Sequence, residues 1–462
     1  MMDPKKSKSG TRPSVPQSDE LQQALIRIEN LRKSLAAEPH NSQILLNLGM
    51  LELQVSGNCK DSTLAQHIAD LAVRRLTLAM GVFARPKVPV DSETGFQVAS
   101  RIGFYHSTRF NFEEATKWLR VANDSKFSHN QGARVLLATM LPRFPHTIEE
   151  EKKYIKQYHR KMDALLALPT LNIDSLGWID SAFWHAYYDQ DHKAALIKHA
   201  QLWYKAVPAL RHTAPHLKNR PPRQGARLKL GCISSFFRSH SSIMESLRPT
   251  LERLPAHLFE IIYIYYPRDE ISDADKSLSS HPERDIYLPH MGNQLQNANE
   301  GRTMIEQADL DILLYLDLFM TPEMHQLALT KVAPIQAVTH GHPVTSGIPR
   351  STMDYYFSWA AAELPDAQNH YTEELVLLPA QVPWEFWEPR NTPDCKSLLD
   401  DMPWGHFRRT NVSFVPNHSA IQHLHWYFCA QATFKFHCTF DAMLADILRR
   451  DPQVTKLAIK YR

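Results

Sequence analysis

The residues with the most chemistry in them sit at the end of a short apolar run. In the segment "APIQAVTHGHPVTSG", the run Ile335–Val338 stops in Thr339-His340-Gly341-His342-Pro343, then continues Thr345, Ser346, Gly347. A strand in a protein core needs none of these. An imidazole near neutral pH accepts a proton from a hydroxyl. A glycine brings bare backbone close to a ligand. A hydroxyl pair bonds either a ligand or its own turn. A third histidine, His240, ends the turn "SFFRSH". Metal chemistry is not expected from these groups. The His423-Leu424-His425 spacing alternates as in a strand or loop, no cysteine or carboxylate joins these or His418 at ligand spacing, and His340 and His342 are likewise not read as ligands.

Positioning such groups takes strands and helices in a particular order. "LKLGCIS" (228–234) reads as a strand, followed by a helix "SSIMESLRPTLERL" opened by a Ser242-x-x-Glu245 capping box. Strands "FEIIYIYYP", "RDIYLP", "DLDILLYLDLF", "PIQAVTH", "DYYFSW" and "ELVLLP" follow, with helices expected near 303–307 and 323–330. Alternation of this kind implies a mostly parallel, doubly wound sheet, whose ligands lie beyond the carboxyl ends of the strands. His240, His340 and His342 all fall at such ends.

Residues 21–211 carry apolar residues at helical spacing instead, as in Leu21, Leu25, Ile28, Leu31 and Leu35. Ile102-Gly103 followed by Ala115, Leu119 and Ala122 fits the tetratricopeptide pattern, and Leu48-Gly49 starts a second, irregular copy. An ordinary helical bundle is the alternative. The organisation expected is a polar tail at 1–20, helices at 21–211, a Pro-rich linker at 212–227, a sheet-bearing lobe at 228–382, an irregular connection at 383–410, and a further strand–helix–strand series at 411–462. The fold class is α + α/β.

The chain has 462 residues, a net charge of +3 and five scattered cysteines. So small a charge gives no argument for nucleic acid. No apolar run reaches membrane length. Unpaired thiols favour a reducing compartment.

Taken in order, four segments resemble protein O-linked N-acetylglucosamine transferases, SPINDLY-type members included. "LKLGCISSFFRSH" looks like that family's opening strand and F-x-x-H turn. "DLDILLYLDLFMT" resembles its strand ending in G-[YH]-T. "APIQAVTHGHPVTSGIPRSTMDYYFS" resembles its A-P-I-Q…T-[ST]-G…D-Y signature. "FKFHCTFDAMLADILRRDP" resembles the opening of its nucleotide-binding lobe. A stretch from about residue 180 resembles the helices that join its repeats to its catalytic part. The resemblance implies a Rossmann-like GT-B lobe and the start of a second one. It implies metal-free, inverting transfer of N-acetylglucosamine from UDP-N-acetylglucosamine to Ser or Thr, with no cofactor beyond the donor. GDP-fucose, the SPINDLY donor, is the alternative. Protein substrates would be held by the helical repeats, in the cytoplasm or nucleus.

By the same resemblance His240 matches the active-site histidine and Lys435 the lysine that holds the donor diphosphate. Thr321, Gly341, His342, Pro343, Thr345, Ser346 and Gly347 match sugar-lining positions. Each has a plainer alternative: a histidine bonded at a helix start, a turn closed by its own hydroxyls, a solvated lysine. Two departures are expected to matter. Phe319-Met320 replaces the family's G-[YH] before Thr321. The second lobe stops at Arg462 without the family's G-H-T-T-G-type turn, so weak or absent UDP binding is expected. An impaired transferase that still binds polypeptides, or a fragment of a longer enzyme, is the competing expectation.

Overall fold

The computed structural model describes residues 19–57, 59, 62–83, 92–125, 130–221, 227–237, 241–266, 279, 281–289, 295–339, 341, 344–380, 425–429, 431, 435–451 and 454–459. The chain divides into two compact units, Met1–Arg134 and Val135–Arg462. The division falls inside the helical stretch, ahead of the 212–227 segment.

The first unit is helical: α1 (Asp19–Ala37), α2 (Ser42–Gly57), α3 (Ser62–Phe83), α4 (Glu93–Thr108) and α5 (Phe112–Asn123). Its close contacts pair α2 with α3 and α4 with α5. Gly49 and Gly103 explain both pairs. A methyl group on Gly49 would lie 2.8 Å from Leu76 Cγ, and one on Gly103 would lie 2.7 Å from Leu119 Cγ. A glycine therefore lets a leucine of the next helix lie against the backbone, twice. Ala115, Leu119 and Ala122 are fully buried, as the repeat spacing predicts. Buried Glu52 accepts from Arg32 at 3.0 Å and also pairs with Arg75, tying α1, α2 and α3 together. The short turn from α4 to α5 puts Phe110 in the left-handed region, φ 63°.

The second unit starts within α6 (Gly132–Thr139) and continues through α7 (Ile148–Leu166) and α8 (Lys193–Ala206). These helices share one core with the sheet: Met162, Leu165, Leu196 and Trp203 pack in the same cluster as Ile264, Leu313 and Val338. That explains why the compact unit begins before the linker. The linker itself is held down. Arg220 donates to Asp309 O and Asp311, and Ala214 N–H donates to Lys331 O.

Seven strands form the sheet: β1 (Leu228–Ser234), β2 (Phe259–Tyr265), β3 (Ile286–Tyr287), β4 (Ile312–Tyr315), β5 (Ile335–Thr339), β6 (Tyr355–Trp359) and β7 (Glu374–Leu378). Their order is β3-β2-β1-β4-β5-β6-β7, and every pair is parallel. The chain winds outward from β1 to β3, then returns to the other side of β1 at β4. The β1/β4 junction is therefore the topological switch point, where such sheets open a crevice at their carboxyl edge. Helices α9 (Ser242–Glu252), α10 (Leu295–Gln307) and α11 (Pro322–Ala328) lie between strands in sequence. The cap of α9 is one residue earlier than the Ser242–Glu245 box predicted. Ser241 is extended and its Oγ accepts from Met244 N–H at 3.2 Å. Past the connection, β8 (His425–Cys429) and β9 (Val454–Ile459) pair in parallel on either side of α12 (Cys438–Arg450) in sequence. The structure is thus α + α/β, with a Rossmann-like sheet. No described helix is long and apolar enough to cross a membrane.

Candidate functional site at the carboxyl edge of the sheet

The carboxyl ends of β1, β4 and β5 lie side by side, and each is fixed by a polar contact. At β1, Ser234 Oγ accepts from Phe236 N–H at 2.8 Å, closing a tight hydroxyl turn. Ser235 donates to Asp317 Oδ2 twice, from N–H at 3.2 Å and from Oγ at 2.6 Å. That carboxylate sits just past β4, so it pins the two strands on either side of the switch point. Ser241 Oγ also bonds Phe236 O, which holds the far end of the loop. His240, which precedes Ser241 in sequence, is outside the described residues. Burial pushes the Cys232 thiol in β1 up to about 12, so this cysteine stays protonated and inert.

At β4, the segment Asp317–Thr321 turns into α11. Thr321 caps that helix, its Oγ1 accepting from Met324 N–H at 3.4 Å, with Pro322 at the first helical position. The residue is buried. Its hydroxyl thus has a structural task at the position matched to a sugar contact. Phe319, one of the two departures, is also buried, with its ring 4.8 Å from that of His325. Its carbonyl accepts from Ser181 Oγ at 3.1 Å.

At β5, Gly341 packs on the end of β4. A methyl group there would lie 1.6 Å from Leu316 O. No residue other than glycine fits, and the backbone that demands it is the neighbouring strand's. His342 and Pro343 lie outside the described residues.

Thr345, Ser346 and Gly347 form a buried turn. Both hydroxyls point at the carboxylate of Glu373, which is 1% exposed. Thr345 Oγ1 donates to Oε2 at 2.6 Å, Ser346 N–H donates to Oε1 at 2.8 Å, and Ser346 Oγ also bonds Oε1. Thr345 Oγ1 in turn accepts from Thr372 N–H at 3.0 Å. Gly347 has φ 69°, and its α-carbon faces the backbone of α8, where a methyl group would lie 2.2 Å from the Leu196 carbonyl carbon. This turn therefore anchors the loop after β5 to β7 and to α8. It meets the plainer alternative for these hydroxyls: they bond within the protein.

Two motif residues given no role by sequence reasoning organise the opposite, amino edge of the sheet, where β5 and β6 begin. Gln336 is fully buried with all its amide groups engaged: Oε1 accepts from Val332 and Ala333 N–H, and Nε2 donates to Thr330 O and Thr352 O. Asp354 accepts from Gln336 N–H at 2.7 Å and pairs with Lys331. Glu373, just before β7 and outside that motif, is a third polar residue at that edge. The signal for all three was a buried-strand context around a polar side chain, which obliges that side chain to find partners.

Lys435 is exposed and lies two residues before His437, the cap of α12. Its position relative to His240 falls outside the described residues. His437 Nε2 is 2.7 Å from Glu151 Oε2 on α7, and this contact ties the β8–α12–β9 segment to the second unit's helices.

Comparison with known proteins bears on this edge. Residues 181–383 match the model of glycosyl transferase family 41. The match begins at Ser181 and ends just past β7, so it covers α8 and the whole seven-stranded sheet. A curated UDP-N-acetylglucosamine–peptide N-acetylglucosaminyltransferase of Caenorhabditis elegans is 26% identical over 191 residues, 40% of this chain and 16% of that protein. A solved mutant O-GlcNAc transferase of Thermobaculum terrenum superposes with a TM-score of 0.44 at 17% identity, covering 95% of this chain and 65% of that one. The chain thus spans less than two thirds of the relatives it matches. Motifs, family model and curated relative point the same way: residues 181–383 are similar to glycosyl transferase family 41, and the relative matched is of the O-GlcNAc transferase type.

Proposed function

We propose that this protein transfers N-acetylglucosamine from UDP-N-acetylglucosamine to Ser or Thr hydroxyls of other proteins, with inversion and without a metal. The observation that carries the reading is the convergence of the β1, β4 and β5 ends at the switch point of a sheet that lies wholly inside the family 41 segment. In this reading His240 accepts the acceptor hydroxyl's proton as the C–O bond forms. Lys435 stabilises the negative charge that develops on the departing diphosphate. Gly341, His342 and Pro343 line the sugar. Thr321, Thr345, Ser346 and Gly347 act one layer behind, holding that loop and the start of α11 in place. The helical unit would present protein substrates, and the cytoplasm or nucleus would be the setting.

Phe319 favours a second reading. Its buried ring stands where the family carries a small residue, which supports a polypeptide-binding protein with impaired transfer. Incubation with labelled UDP-N-acetylglucosamine or GDP-fucose and a Ser-rich peptide separates the two. Label on the peptide that disappears with His240→Ala supports transfer. Absence of label from both donors, with the peptide still bound, supports the second reading. Label from GDP-fucose alone keeps the chemistry and changes the donor.

A further inference from the structure

Away from the sheet edge, three side chains with metal-ligand chemistry meet. Glu151 comes from the first turn of α7, and His437 and Cys438 from the start of α12. Their ligand atoms all lie within 4.8 Å of one another. Glu151 is 2% exposed, while His437 and Cys438 are half-buried. We propose that these three residues bind one divalent cation of the zinc class, which fastens the β8–α12–β9 segment to α7.

The donor set is the first argument. Thiolate, imidazole and carboxylate are zinc ligands, and three protein ligands leave a fourth position for water. The half-exposed His437 and Cys438 give that water its access. The second argument is how each ligand is held. Glu151 divides its oxygens: Oε1 takes Asp189 N–H, and Oε2 faces His437. A backbone donor on the far oxygen is the usual outer-shell support of a metal-bound carboxylate. His437 Nδ1 lies 2.7 Å from Thr439 Oγ1 and 3.3 Å from Thr439 N. Without metal, Nε2–H donates to Glu151 and Nδ1 accepts from Thr439. With metal, the proton moves to Nδ1 and is donated to the Thr439 hydroxyl, which frees the Nε2 lone pair. One threonine serves both tautomers.

The distances are close to what an ion needs. Cys438 Sγ is 4.0 Å from His437 Nε2. Bonds of about 2.3 Å to sulfur and 2.0 Å to nitrogen at a tetrahedral angle separate those atoms by about 3.5 Å. The Nε2–Oε2 contact of 2.7 Å must open by about half an ångström. Both shifts are within side-chain rotation. Binding breaks the Cys438 S–H bond, forms a metal–sulfur bond and releases the thiol proton to solvent.

The test uses the full chain, stripped with chelator and titrated with Co²⁺ and then Zn²⁺. One equivalent of Co²⁺ should bind with a near-ultraviolet thiolate-to-cobalt absorption that Zn²⁺ bleaches. Cys438→Ser should abolish the band, His437→Gln should weaken binding by about 10-fold or more, and Cys429→Ser should change neither. His437 also caps α12, so the Cys438→Ser result decides, and an unchanged circular dichroism spectrum of that variant separates loss of the ion from loss of the fold. Absence of stoichiometric Co²⁺ or Zn²⁺ binding, or a thiolate band that survives Cys438→Ser, overturns the proposal.

Discussion

Replacing Glu373 tests whether the hydroxyl turn after β5 is built from within. The carboxylate is buried and accepts three hydrogen bonds, from Thr345 Oγ1, Ser346 N–H and Ser346 Oγ. Glu373→Ala strands all three donors and leaves a cavity. Hydrogen bonds to a charged group contribute about 1.5–3 kcal/mol each. The two hydroxyls can rotate to other acceptors, but the Ser346 N–H cannot. A net loss of about 3–5 kcal/mol follows, the range for breaking a buried charged network. Glu373→Gln keeps shape and one acceptor oxygen. Its amide nitrogen can donate where Thr345 now does, so the cost should fall to about 1–2 kcal/mol. The second unit spans roughly 330 residues. At about 2.1 cal/mol/K per residue its unfolding entropy is about 0.7 kcal/mol/K, so the alanine variant should melt about 4–7 °C lower. Urea unfolding followed by tryptophan fluorescence measures the same difference. An alanine variant within 0.5 kcal/mol of the parent, or a glutamine variant as damaging as alanine, would refute the idea that the carboxylate organises this turn.

Gly347→Ala should cost about 3 kcal/mol or more in the same urea assay. It combines a left-handed φ of 69° with a methyl group 2.2 Å from the Leu196 carbonyl carbon, and a loss under 1 kcal/mol would contradict the close approach to α8. Gly81→Ala should do the reverse in the helical unit. Nothing lies within 4 Å of the added methyl, so the melting of that unit should show a gain of about 0.5–1 kcal/mol. His199 sets an acid limit. Burial pushes its pKa from 6.5 down to about 4, so the unfolded chain binds this proton first as pH falls. Stability is therefore full above about pH 6.5 and declines toward pH 4, by about 2 kcal/mol from this group at pH 5. His199→Gln should flatten that slope in urea midpoints between pH 7 and pH 5, and an unchanged slope would sink the assignment.

The parallel, doubly wound sheet was legible because each strand is a short apolar run closed by turn residues, and helices follow β1, β3 and β4. Strand β4 shows the limit. "DLDILLYLDLF" reads as one long strand, yet pairing covers only Ile312–Tyr315. Asp317 leaves the ladder to take two bonds from Ser235, and Thr321 ends the segment as a cap. Both depend on partners distant in sequence, so local propensity could not reveal them. The same holds for the boundary between units. The helical periodicity of α7 and α8 is no different from that of α1 to α5, and only the sheet they pack against assigns them to the second unit.

The candidate site was legible by residue type and not by direction. Thr345 and Ser346 are the right groups for a sugar, but the hand of the turn at Gly347 is dictated by α8, and it sends both hydroxyls inward to Glu373. Gly341 likewise reads as a place for a ligand, and its missing side chain is required by Leu316 O. A motif shared with a transferase family therefore encodes packing as well as contact. Of the matched residues, those whose hydroxyls are committed to caps and turns can influence transfer only by holding the loop beyond β5. Substituting them should change stability and activity together, whereas His240→Ala, which removes only a group acting on the substrate, should abolish transfer and leave the stability read from the urea midpoint within about 0.5 kcal/mol. A common fall in both for His240→Ala would move that histidine, too, into the framework.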